Sequence, residues 1–225
     1  MRALSVRIDA DPSRRAALTM ARRLERAVWL NGRATVAFSG GSSAPPMIAE
    51  LLGRQRAIPW DRIEAWQVDE RVAPDGHDDR NAPQLAELPC PVHLMPVIAD
   101  DLAAAAAEHA QSLPARFDVV HLGVGPDGHT ASWPPGDPVA DALPDVRVAL
   151  SRRYQERVRM TLTPTVVNDA IGRVVLITGE DKAAAVAAWL EDAPFDGDLP
   201  IARLEQRNAA VILDAAAASR LRTNW

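Results

Sequence analysis

Lysine and cysteine each occur once in this 225-residue sequence, and nowhere do eighteen apolar residues follow one another. The single cysteine, Cys90, excludes an internal disulfide. Flanked by Pro89 and Pro91 with no histidine nearby, it reads as structural rather than nucleophilic. Without a long apolar run, no membrane-spanning segment is expected. The opening "MRALSVRIDADPSRR" has an acidic residue and a proline where a secretion signal needs an apolar core, so a cytoplasmic location is expected. A net charge of −5 removes the global attraction that a nucleic-acid partner would use. An anionic ligand must then be held by local cations and backbone N–H groups. No two of His77, His93, His109, His121 and His129 stand at a metal-binding spacing, so no metal and no cofactor is implied. The G-x-S-x-G elbow of a serine nucleophile is absent as well, since Ser42 lies in "GGSSA".

What is present is an ordinary globular balance, 48% apolar and 24% charged, at a length suited to one large α/β domain over residues 1–225. "SRRAALTMARRLERAVWLN" (13–31) has apolar residues at helical spacing and stops at Asn31-Gly32. "RATVAF" reads as a buried strand, followed by a helix over 45–55 with prolines tolerated at its start. Further strands are expected at "RIEAWQV", "VHLMP", "FDVVHLGV", "DVRVAL", "VRMTLT", "RVVLIT" and "AAVILD", the last closing the sheet. The intervening helices are "DDLAAAAAEHAQSL", "PTVVNDAIG" and "EDKAAAVAAWLE". This alternation predicts a single three-layer, Rossmann-like α/β domain with a mostly parallel central sheet flanked by helices. No repeat or linker interrupts it, and the proline-rich "WPPGDP" and "APFDGDLP" read as loops.

The most strand-like segment, "FDVVHL", runs into "GVGPDGHTAS". Gly123, Gly125 and Gly128 spell the G-x-G-x-x-G of dinucleotide sites, but the context is wrong. Such a loop must open a helix whose N-terminus meets a pyrophosphate, and here Pro126, Pro134 and Pro135 prevent one. What remains is a tight turn at the C-terminal edge of a central strand, where open α/β sheets bind ligands, presenting Asp127 and His129.

Other residues converge on that edge. "AFSGGSSAP" places Gly40, Gly41 and Ser42 at a strand-to-helix turn suited to a phosphate. "QVDERV" ends a strand on Asp69, Glu70 and Arg71, and "VRMTLT" contributes Arg159. Lys182 follows a strand–glycine turn at "TGEDK". In a chain that writes 24 of its 25 basic residues as arginine, one retained lysine suggests a site needing a compact point charge.

These motifs, in this order and over almost the whole chain, resemble the 6-phosphogluconolactonases. That family's S-G-G-S is matched by Ser39–Ser42 and its D-E-R by Asp69–Arg71. Its G-x-G-x-D-G-H-T-A-S is matched from Gly123 to Ser132, with its later P-G at Pro135-Gly136. Its R-x-T-L-T corresponds to Arg159 with Thr161–Thr163, and its glycine followed by K-A to Gly179 with Lys182-Ala183. Its ending is echoed by Leu199-Pro200 and Asp214–Ala216. The G-x-D-G-H element is shared with amino-sugar-phosphate deaminases, whereas the T-A-S continuation favours the lactonases. Three departures stand out. Ser43-Ala44-Pro45 replaces T-P in the phosphate loop, Trp133-Pro134 replaces L-F and would change the pocket wall, and Arg80-Asn81 replaces S-N, adding a cation.

The resemblance implies a phosphorylated sugar lactone as the small-molecule partner, hydrolysed without a metal to 6-phosphogluconate in the oxidative pentose phosphate route. A histidine can serve as base and then acid near neutral pH, which gives His129 that role with Asp127 orienting the turn. Gly40, Gly41, Ser42, Arg71, Gly125, Arg159 and Lys182 would hold the phosphate and place the lactone carbonyl. Asp69 either handles a proton, as its counterpart does in the related deaminases, or binds sugar hydroxyls. A sugar-phosphate deaminase or isomerase on the same fold, and a non-catalytic sugar-phosphate-binding regulator, remain the alternatives. The sequence leaves the oligomeric state open.

Overall fold

A computed structural model describes residues 4–54, 57–223 and 225; Gln55, the expected end of the second helix, lies outside them. Seven strands form the main sheet, all parallel: β1 (Ser5–Ile8), β2 (Ala34–Phe38), β3 (Ile63–Gln67), β5 (Val92–His93), β6 (Val119–Leu122), β9 (Gly172–Ile177) and β10 (Ala209–Leu213). Their order across the sheet is β1-β10-β9-β6-β2-β3-β5. The central strands are buried on both faces, which is why their sequences are continuously apolar.

One face is covered by helices α1 (Pro12–Asn31) and α2 (Ala44–Leu52), packed through Met20, Leu24, Met47 and Leu51 against Phe38 and Val174. The other face carries α3 (Leu102–Ser112), α4 (Pro164–Asp169) and α5 (Ala183–Glu191), with Phe117, Leu122, Ile177 and Trp189 in its core. The capping chemistry explains the helix boundaries. Asp11 accepts a hydrogen bond from the Arg14 N–H at 3.1 Å and Pro12 opens α1, which ends where Gly32 turns left-handed at φ +77°. Asp101 caps α3 in the same way, accepting from Ala103 and Ala104.

Three strands lie outside the main sheet. β4 (Asp69–Arg71), β7 (Val148–Leu150) and β8 (Arg159–Leu162) form a small antiparallel sheet in the order β4-β8-β7. Asp69-Glu70-Arg71, read from the sequence as a polar run after a strand, is thus itself a strand, with Asp69 opposite Thr161 and Arg71 opposite Arg159. Nor does "AAVILD" close the sheet: β1 pairs outside β10, Val6 opposite Val211. β1 escapes sequence detection because only Val6 of its four residues is buried, so it shows no apolar face. No helix among the described residues is long and apolar enough to cross a membrane.

Candidate active site

The C-terminal ends of β2, β3, β6 and β9 lie together, and each strand passes there into one of the sequence motifs. They enclose a cavity of about 230 Å³. Gly40, Gly41, Ser42, Asp69, Arg71, Gly125, His129, Arg159 and Lys182 all line it. Asp127 is the one sequence-predicted site residue outside the lining; it stands behind His129. A second cavity of about 230 Å³, lined by Arg26, Asn31, Asp118 and Gly172 among others, opens at the opposite ends of the strands and gathers no comparable chemistry.

The glycine turn is built around the imidazole. The Gly128 N–H donates to Gly125 O at 3.0 Å, the Gly125 N–H donates to His129 O at 2.8 Å, and Gly128 is left-handed at φ +77°. A Cβ on Gly125 would fall on the His129 ring, so glycine is required by close approach rather than by a phosphate. No helix opens at Gly128; an isolated bridge joins Thr130 to Trp133 instead. Asp127 Oδ1 accepts from His129 Nδ1 at 2.6 Å, and also from the His129 N–H at 3.3 Å. Burial opposes ionisation of Asp127, but the hydrogen bonds from His129 and Tyr154 outweigh it and hold its pKa well below the usual carboxylate range. An ionised Asp127 makes Nδ1 the protonated nitrogen of a neutral His129, and Nε2 engages no group among the described residues.

Tyr154, which the sequence reading passed over, is the third member of this group. Its hydroxyl donates to Asp127 Oδ2 at 2.6 Å, and its ring meets the His129 ring edge-on at 5.4 Å between centroids. Burial first, then the hydrogen bond and charge of Asp127, push its phenol pKa up, so it stays a donor. It is the only tyrosine of the chain, the same kind of rarity that drew attention to Lys182.

Asp69 is 3% exposed and ties two loops together, accepting from Ser39 Oγ at 3.2 Å and from Ser132 Oγ at 2.6 Å. Arg71 donates to Asn81 Oδ1 and to Asp79 O, and Asn81 Nδ2 donates back to Asp69 O at 3.1 Å. Arg159 is 3% exposed; its Nη2 donates to Gln155 Oε1 at 2.8 Å and its guanidinium lies 5.0 Å over the Tyr154 ring. Its buried Nε has no partner among the described residues. Burial, then the charge of Arg71, lowers its pKa, a pressure that an incoming anion would relieve. Lys182 Nζ pairs with Asp181 at 2.6 Å at the cavity wall.

The glycine–serine loop after β2 supplies fewer helix donors than its sequence suggests. Pro45 and Pro46 occupy the first turn of α2 and carry no N–H, and the Ala44 N–H turns back to Gly41 O at 3.3 Å. The free donors are instead the backbone N–H groups of Gly40, Gly41, Ser42 and Ser43, which have no acceptor among the described residues. Gly41 is left-handed at φ +101°, and a Cβ on Gly40 would strike Asn81.

Two departures resolve differently from their sequence reading. Trp133 does not form the pocket wall: it is fully buried in the core, its indole N–H donating to Leu162 O at 2.8 Å. Arg80 adds no cation to the cavity either. It turns into the protein beside the buried Glu70. The other histidines have structural settings: His93 stacks on Trp66 at 4.2 Å, and burial lowers the pKa of His121 to about 4. Burial, followed by the charge of Glu64, raises the Cys90 thiol to about 11, so no reactive thiolate forms there at neutral pH. No three His, Cys, Asp or Glu side chains among the described residues converge as a metal site.

The family model for glucosamine-6-phosphate isomerases and 6-phosphogluconolactonases matches residues 9–213. A 6-phosphogluconolactonase of Streptomyces coelicolor is 34% identical over 219 residues, covering 84% of this chain and 83% of its own. Among solved structures, a 6-phosphogluconolactonase from Trypanosoma brucei superposes with a TM-score of 0.80 at 23% identity, covering 98% of this chain and 100% of its own. A monomeric glucosamine-6-phosphate deaminase fits with a TM-score of 0.80 at 18% identity, covering 96% of this chain and 99% of its own. Likeness at that level of identity is likeness of fold, and both chemistries share this one. On the match across the sequence, the chain belongs to the glucosamine-6-phosphate isomerase/6-phosphogluconolactonase family.

Proposed function

We propose that the chain hydrolyses 6-phospho-D-glucono-1,5-lactone to 6-phospho-D-gluconate in the cytoplasm, without a metal, with His129 as general base. The observation that carries this reading is the Asp127-bound imidazole facing a cavity that also presents Arg71, Arg159 and Lys182. A base for water stands at one side and cations for a phosphate stand at the other. Nε2 takes a proton from water as the hydroxide oxygen bonds to the lactone carbonyl carbon. The tetrahedral oxyanion collapses, the bond from carbon to the ring oxygen breaks, and the imidazolium returns its proton to that oxygen. Asp127 keeps the ring oriented and stabilises the imidazolium throughout. Asp69, whose carboxylate lines the cavity between Ser39 and Ser132, orders sugar hydroxyls in this reading.

Assay of the purified protein on the lactone, against glucosamine 6-phosphate in parallel, tests the reading. Lactone hydrolysis above the spontaneous rate supports it; release of ammonia from the amino sugar would replace it with the deaminase reaction. Exhaustive chelation is expected to leave hydrolysis unchanged, and loss of activity restored by one divalent ion would overturn the metal-free mechanism.

Lys182 provides a separate check on the phosphate wall. Lys182→Ala is expected to raise KM for the phosphorylated lactone by about tenfold, the size of one charge-assisted contact. Lys182→Arg should rescue only in part, because a planar fork replaces a point charge. A lactone lacking the phosphate should show neither effect. An unchanged KM in Lys182→Ala would leave Asp181 as the lysine's only partner and remove it from the site.

A further inference from the structure

Gln155 and Glu156 form a two-residue turn after Tyr154, closed by the Tyr154 N–H to Arg157 O at 2.8 Å and the Arg157 N–H to Tyr154 O at 3.2 Å. Both central residues are left-handed, Gln155 at φ +45° and Glu156 at φ +66°, in a turn that normally selects Asn-Gly. Each non-glycine residue held there costs about 1–2 kcal/mol. Strain of this kind persists where side chains must be placed, and here the Gln155 side chain lines the cavity while that of Tyr154, just before the turn, bonds to Asp127.

Their hydrogen bonds form one continuous line with a fixed direction. Arg159 can only donate, so Gln155 Oε1 must be the acceptor at 2.8 Å. That orients the amide, and Gln155 Nε2 then donates to the Tyr154 hydroxyl at 3.0 Å. With its oxygen accepting, the hydroxyl's one proton goes to Asp127 Oδ2 at 2.6 Å. Asp127 Oδ1 in turn accepts from His129 Nδ1 at 2.6 Å, which leaves the lone pair on Nε2. An arginine at one wall of the cavity is thereby linked, through the carboxylate of Asp127, to the orientation of a histidine at the other.

We propose that the Tyr154–Gln155 turn is a positioning relay that couples the anion-binding Arg159 to the Asp127–His129 base, holding the Asp127 carboxylate, and with it the His129 ring, in the orientation that presents Nε2 to the cavity. The proposal builds on the lactonase reading above and adds two positioning residues to it. When the substrate's phosphate reaches the unused donors of Arg159, the guanidinium is fixed in place, and the line from it to the imidazole is fixed with it. Binding of the remote phosphate is in this way converted into orientation of the reacting base.

Two near-isosteric variants test the relay. Tyr154→Phe removes the proton that Asp127 receives, and Gln155→Met removes the link without adding charge. Both are expected to lower kcat for the phosphorylated lactone by about 10–100-fold while KM stays within about threefold, the range seen when an orienting partner is lost. A merely structural turn would instead lower stability with kcat intact. The nitrogen-15 spectrum of the His129 imidazole at pH 8 reads the relay with no substrate present. Wild type should show a protonated Nδ1 and an unprotonated Nε2; both variants should keep that tautomer, because Asp127 stays ionised, but with the Nδ1 resonance shifted as the carboxylate leaves its 2.6 Å contact. The spectrum keeps the two claims separable, because it stands even if wild type does not hydrolyse the lactone. Wild-type kcat in Gln155→Met, or an unaltered imidazole spectrum in Tyr154→Phe, would overturn the relay.

Discussion

Replacing His129 by alanine is expected to lower turnover of the phosphorylated lactone by about 10²–10⁴-fold, with KM changed far less. His129 does little else in the protein. Its side chain carries no core packing, and its one strong bond is to Asp127 at 2.6 Å. Removing the ring leaves the cations Arg71, Arg159 and Lys182 lining the cavity, so binding should survive. Because the lactone also opens unaided in water, the uncatalysed rate must be subtracted at each pH. His129→Asn, which fills part of the space without a base, should be equally slow. Near-wild-type turnover in His129→Ala would move the base to Asp69, the only carboxylate lining the cavity among the described residues.

The largest effect on stability is expected at Arg80. Glu70 is completely buried and accepts from Gln67 Nε2, and from the N–H groups of Arg71, Asn81 and Ala82, all within 2.8 Å. Arg80 Nε lies 3.1 Å from its Oε2, an ion pair rather than an aligned hydrogen bond. Arg80 Nη1 meanwhile donates to Ala73 O at 2.9 Å and to Asp75 Oδ1 at 3.0 Å, closing the loop that returns to Asn81. Arg80→Ala strands a buried carboxylate without its countercharge, a loss of about 3 kcal/mol or more. For a chain of this length that lowers Tm by roughly 6–12 °C. Arg80→Lys should lose less, since the charge remains while the bond to Ala73 goes. A calorimetric Tm within about 2 °C of wild type for Arg80→Ala would show that the four N–H donors alone hold Glu70.

Arg80 also shows where the sequence stopped being informative. Its position beside Asn81 suggested a cation added to the ligand. The deciding fact is the complete burial of Glu70, which no local pattern announces. The residues that were legible share one property: Gly40–Ser42, Asp69, Gly125–His129 and Lys182 each follow a strand of the main sheet. A strand followed by a polar or glycine-rich turn can be seen in a short window, and the α/β fold brings all such turns to one edge. Arg159 was legible through the motif around it. Tyr154 and Gln155 come from a turn between two short strands of the second sheet. Nothing in "RRYQERV" marks a hairpin, because its left-handed positions hold glutamine and glutamate instead of Asn-Gly. β1 and β4 were missed for a related reason: strands of three or four residues carry too few alternations to stand out. β7 and β8 were legible as strands, but their pairing with β4 in a separate sheet is set by distant partners.

The setting of Asp69 has a consequence for how the chain acquires activity at all. Its two hydroxyl partners, Ser39 and Ser132, lie 30 and 63 residues away along the chain, and its strand pairs with β8 about ninety residues on. These contacts close large loops and belong to both sheets, so none of them can form from a local segment. Folding must therefore bring β2, β4, the loop after β6 and β8 together before the cavity exists. A nascent chain on the ribosome holds every motif through His129 before it holds this cavity, which is complete only once β8 and the Lys182 turn have followed.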